Sequence, residues 1–167
     1  MKNIDIDYFI AKWVLNFRFD PDEIPAFALG LLENGHETPQ LIELSVTTKD
    51  EIKNIDPKVK LQSIFKDVGV PIPSKNDAAI IVSKRISREI LSGEINPVDG
   101  ANLIWDDICV LLEEIPEELE EFCACASNYE DISSSAATEF YGLDKQREKL
   151  ESIKQDIVAH AQKVSNF

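Results

Sequence analysis

Ser74-Lys75-Asn76-Asp77-Ala78-Ala79-Ile80-Ile81-Val82-Ser83-Lys84-Arg85-Ile86-Ser87-Arg88-Glu89-Ile90-Leu91-Ser92-Gly93 reads as one long helix with both ends marked. Ser74, with Asp77 three residues on, is a capping-box-like start. The helix is expected to end near Leu91, with Gly93 just beyond it as the stop. The same punctuation continues on both sides. Upstream, Pro71 and Pro73 force an extended connector, because proline fixes φ and removes a backbone donor. Before that, Asp56-Pro57 opens a helix that runs to Val68 and stops at Gly69. Thr38-Pro39 is the same device, a cap followed by proline at the first helical position, and opens a short helix with Leu41, Ile42 and Leu44. Pro21 and Pro25 mark the start of a helix carrying Phe27, Ala28, Leu31 and Leu32, with Gly35 as its left-handed stop. Asp5 can cap a first helix through about Phe17, with Phe9, Trp13 and Phe17 four apart on one face.

Downstream, Asn96-Pro97 starts a turn leading to a helix from about Ala101 to Glu113. Pro116 opens the next, with Leu119, Phe122, Cys123 and Ala126 at spacings of three and four. Ser133-Ser134-Ser135 is a polar break. A final helix spans about Asp144 to Val164, where Leu143, Leu150, Ile157 and Val164 fall seven apart with Ile153 between them. No Asn-Gly or Asp-Gly turn separates two alternating apolar runs, so strand signals are nearly absent. The expectation is an all-α chain of about seven to nine helices, an irregular helical bundle or a short α-solenoid. No linker is long enough to split it, so a single domain over residues 1–167 is expected.

At 167 residues and 44% apolar composition the chain can bury a core and is not of disordered type. It has no apolar run of membrane-spanning length. Met1-Lys2-Asn3-Ile4-Asp5 lacks the basic flank, apolar stretch and cleavage site of a signal peptide, which implies a cytoplasmic location. The odd set of Cys109, Cys123 and Cys125 argues against a disulfide framework, and the three read as small buried apolar residues.

Charge is the strongest signal. The net charge is −14. Residues 89–144 contain fifteen carboxylates and no lysine or arginine, while the remaining 111 residues hold 17 basic and 16 acidic groups. Nucleic acid and anionic lipid are therefore disfavoured as partners, because phosphate is repelled. Eight carboxylates cluster as Asp106, Asp107, Glu113, Glu114, Glu117, Glu118, Glu120 and Glu121. Glu117 and Glu118 complement the dipole of the helix they open. Glu117 and Glu121 are a like-charge pair four apart, which weakens a helix by a few tenths of a kcal/mol. Solvated faces ordinarily mix both signs, whereas a single-sign field steers a partner of opposite charge. The cluster could be an acidic face kept for solubility. The sharper reading is a docking surface for a basic protein, with Trp105 and Tyr129 as apolar anchors.

Chemistry is sparse. His36 and His160 stand in no metal-ligand spacing, and His160 reads as a partly exposed residue. Cys123-Ala124-Cys125 is not a C-x-x-C pair. No phosphate loop or nucleophile elbow occurs, and the acids lack the spacing of a calcium loop. The chain is not expected to be an enzyme or to carry a metal or cofactor.

Two stretches carry a resemblance. Ala28-Leu29-Gly30-Leu31-Leu32-Glu33-Asn34-Gly35-His36-Glu37-Thr38-Pro39-Gln40-Leu41 and Ile90-Leu91-Ser92-Gly93-Glu94-Ile95-Asn96-Pro97-Val98-Asp99-Gly100-Ala101 resemble a pattern of small uncharacterised bacterial helical proteins. Several proteins of that type are similar to immunity proteins of polymorphic toxin and contact-dependent growth inhibition systems. The resemblance covers roughly residues 24–131, and its motifs are helix-boundary signals. It implies a helical fold and an inhibitor of a cognate toxin C-terminal domain of nuclease type, and it supplies no catalytic residues. The alternative is a helical-repeat scaffold or adaptor that binds a basic non-toxin partner. A homo-oligomer through the heptad-like helix at 144–164 is a further possibility.

Overall fold

Asp5 accepts a hydrogen bond from the backbone N–H of Tyr8 at 3.1 Å and starts α1, Ile6–Leu15. α1 stops two residues short of Phe17 because Asn16 takes the left-handed conformation, with φ 55°. The computed structural model describes residues 5–17, 20, 23–52 and 57–166. Pro21 and Asp56, read above as start signals, lie outside these residues. Among the described residues all regular structure is helical: ten α-helices, one π turn and one 3-10 turn. The all-α expectation therefore holds. The chain divides into two compact units, Met1–Ala78 and Ala79–Phe167.

The first unit holds α1, α2 (Glu23–Glu33), α3 (Pro39–Ser45), α4 (Lys49–Ile52), α5 (Pro57–Val68) and the start of α6 (Lys75–Ser92). At the end of α2, Gly35 takes φ 87° and His36 N–H reaches back to the Leu31 carbonyl at 3.1 Å, the expected left-handed stop. Thr38 Oγ1 accepts from Leu41 N–H at 3.2 Å and begins α3. The core is aromatic. Phe9 stacks on Phe27 at 4.0 Å between centroids, and Phe65 meets Phe27 and Trp13 edge-on at 5.7 and 4.8 Å. Leu31, Leu41, Leu61 and Ile64 close around them. Lys12, buried on α1, is neutralised by Glu23 at 2.7 Å.

Ser74 starts α6 as its spacing predicts: Asp77 N–H donates to Ser74 Oγ at 3.1 Å, and the Ser74 hydroxyl donates to Asp77 at 2.6 Å. The second unit takes most of α6, then α7 (Pro97–Asn102), a π turn (Leu103–Ile108), a 3-10 turn (Cys109–Leu111), α8 (Glu117–Ser133), α9 (Ser135–Tyr141) and α10 (Leu143–Ser165). α10 packs on α8 and α7, and α7 packs on α8. At Gly100 the backbone of α7 comes close to α6. A Cβ there would sit 2.6 Å from both Cγ1 and Cδ1 of Ile90. Asn96 Oδ1 accepts from Val98 N–H at 3.0 Å and begins α7.

Two sequence readings change here. The helix expected from about Ala101 to Glu113 begins earlier, at Pro97, and is not uniform. It widens into the π turn, tightens into the 3-10 turn and ends at Leu111. His160 is buried, not partly exposed: its Nε2–H donates to the Glu118 carbonyl at 2.8 Å, and its ring packs edge-on against Phe122 at 4.7 Å. The heptad-like positions of α10 are buried toward its C-terminal end. Ile157 and Val164 are fully buried, Leu150 and Ile153 half-buried, and Leu143 exposed.

Among the described residues no helix is long and apolar enough to cross a membrane.

Candidate docking site

The inner stripe of α8 runs Leu119, Phe122, Ala126, Tyr129, Ser133, at spacings of three and four. Its first half is buried. Where the stripe passes from leucine, phenylalanine and alanine to tyrosine and serine, the packing opens into a cavity of about 530 Å³. One wall is Ala126, Tyr129, Glu130 and Ser133 of α8. The other is Val98, Asp99 and Asn102 of α7 with Trp105 and Asp106 of the π turn. Positions 98, 99, 102, 105 and 106 repeat the helical spacing of the α8 wall, so two facing helix stripes make the cleft. A π turn is a rare element, frequent at functional sites.

The chemistry of the walls is one-sided. Asp99, Asp106 and Glu130 contribute three carboxylates, Trp105 and Tyr129 two half-buried rings, and no lining residue is basic. Among the described residues, none of the three carboxylates has an ion-pair or hydrogen-bond partner. Carboxylates beside aromatic faces suit an organic cation. A guanidinium can take bidentate bonds from a carboxylate and stack on a ring.

The sequence-derived site is therefore brought together only in part. Trp105, Asp106 and Tyr129 line one cavity. Asp107 is half-buried and does not line it. Glu113 and Glu114 are exposed on the link between the 3-10 turn and α8, next to exposed Val110, Leu111 and Ile115. Glu117, Glu120 and Glu121 are exposed, but at about 100° per residue they lie roughly half a turn around α8 from the cavity stripe. Glu118 is half-buried beside the His160 anchor. The eight carboxylates thus form at least two faces and not one patch. Asp99 and Glu130 were not selected from the sequence, because only the facing of the two stripes joins them to Trp105 and Tyr129.

The chain matches no protein-family model, no curated protein and no solved structure.

Among the described residues no group of three or more histidine, cysteine or carboxylate side chains is placed to hold a metal ion. The arrangement is suited to non-covalent recognition: a concave, anionic, aromatic seat with a separate acidic face around the same helix.

Proposed function

We propose that this protein is a binding inhibitor that neutralises a basic toxin domain through the second unit. The observation that carries the reading is the convergence of Trp105, Asp106 and Tyr129 with Asp99 and Glu130 on one cavity with no basic residue in its lining. Toxin domains that cut nucleic acid need basic surfaces to hold phosphate. An arginine or lysine on such a surface would enter the cleft, exchange water for carboxylate oxygens, and lie against the Trp105 or Tyr129 ring. Glu117, Glu120 and Glu121 act at longer range by raising the encounter rate. The sequence resemblance to immunity proteins supports this partner class, and the chemistry of the cleft lining supports it as the contact.

The test is co-expression with the C-terminal domain of a large secreted protein encoded immediately upstream. The domain alone should arrest growth, and this protein should restore it. With purified partners the two acidic faces should separate kinetically. Lysine at Glu117, Glu120 and Glu121 should slow association by about tenfold or more with dissociation little changed. Asp106→Asn with Glu130→Gln should speed dissociation. A harmless neighbour would remove the inhibitor reading and leave the adaptor reading, to be pursued by direct binding to basic partners.

A further inference from the structure

Cys109 and Cys123 come from different elements, the 3-10 turn and α8, yet their sulfurs are 3.3 Å apart. We propose that these two cysteines are a site of reversible oxidation, a dithiol that a low-molecular-weight disulfide converts to an intramolecular disulfide.

The geometry assigns a role to each sulfur. Cys109 is buried, and Cys123 is half-buried and so the more accessible. In the dithiol Cys123 donates its S–H to the Cys109 sulfur. When Cys123 ionises, the Cys109 S–H turns to donate to the thiolate. That donation holds Cys123 below the usual thiol range, against burial and the nearby Glu120 charge. The same hydrogen bond, with burial, pushes Cys109 up. Cys123 is therefore the attacking thiol and Cys109 the resolving one. Cys125 is buried, and on a helix it points roughly 200° away from Cys123. Burial and the charges of Glu121 and Asp156 push it up to about 11, so it stays protonated and does not compete.

The steps balance. The Cys123 thiolate attacks one sulfur of the small disulfide, forms a mixed disulfide and expels one small thiolate. Cys109 gives up its proton to solvent, and its sulfur attacks Cys123 Sγ and expels the second small thiolate. Two protein thiols are oxidised to one disulfide, and the small disulfide is reduced to two thiols. Closure asks the sulfurs to approach from 3.3 Å to about 2.0 Å. One partner sits on a short 3-10 turn, an element with fewer constraints than an α-helix interior. The ring so closed encloses Glu113, Glu114, Glu117, Glu118, Glu120 and Glu121. Oxidation would fix the link that carries the acidic face, whatever that face binds.

The test uses the reduced full chain and glutathione disulfide. After reaction, intact mass should fall by two hydrogen atoms. Alkylation under denaturing conditions should drop from three cysteines to one, mapped to Cys125, and dithiothreitol should reverse both changes. Cys109→Ser should stop at a persistent glutathione adduct on Cys123, and Cys125→Ser should oxidise as the parent does. Three alkylatable thiols after reaction, a stable adduct on the parent chain, or a bond involving Cys125 would each overturn the proposal.

Discussion

The two units share helical construction and differ in what fills them and what covers them. The first is packed around Phe9, Phe27 and Phe65, with Trp13 at the edge of the stack. Among the described residues the second has one fully buried ring, Phe122, packed with the aliphatic side chains of Ile104, Ile108, Leu119 and Ile157 and with small ones such as Ala79, Ala101, Ala126, Ser83 and Ser87. Charge divides in the same direction. Residues 1–78 carry 9 basic and 13 acidic groups, and residues 79–167 carry 8 and 18. The contrast teaches where stability and specificity are placed. Large rings bring much buried area per ordered residue. Small residues let helices approach closely and leave a cleft where the stripe turns polar.

If that contrast is right, truncating the ring stack should have the largest effect. Phe65→Ala is expected to lower stability by about 3–5 kcal/mol in urea denaturation. A loss under 1 kcal/mol would show that the aromatic stack is not what holds the first unit. Close approach in the second unit is probed by Gly100→Ala, whose new Cβ meets Ile90 at 2.6 Å. A loss of about 1–3 kcal/mol is expected from overpacking. Combining it with Ile90→Ala should cost less than the two changes summed, because the clash is then gone. Charge comes next. Glu121→Lys places an opposite charge four residues from Glu117 and should raise stability by about 0.2–0.5 kcal/mol while weakening partner binding. The smallest effect is expected at Ser87, whose buried hydroxyl has no hydrogen-bond partner. Ser87→Ala should be neutral within about 0.5 kcal/mol or slightly stabilising, since an unsatisfied group is removed. A clear loss there would mean the hydroxyl is paired through water.

Most helix boundaries were legible because their signals are local. Asp5, Thr38, Ser74 and Asn96 each cap within three residues, and each forms the bond its position implies. The rest was set by distant parts of the chain. Nothing local announces the π turn at Leu103–Ile108, where an ordinary helix was expected. His160 is buried because α10 brings it to the Glu118 carbonyl, 42 positions away. Cys109 and Cys123 were read as separate core residues, since a separation of 14 across two elements says nothing about contact. At the cleft, Trp105, Asp106 and Tyr129 were found through charge and aromatic character. Asp99 and Glu130 required knowing that two stripes face each other.

The uncompensated carboxylates of the cleft have one more consequence. With no ion-pair partner among the described residues, Asp99, Asp106 and Glu130 depend on the ions of the medium. Dissolved salt should then act in opposite directions on two properties of one surface. Raising ionic strength from about 0.01 to 0.15 M shortens the screening length from roughly 30 to 8 Å. The repulsion within the second unit would weaken and its melting temperature rise, while the field that attracts a basic partner would fade and association slow. The free protein would be hardiest in brine, and the complex quickest to form in dilute buffer.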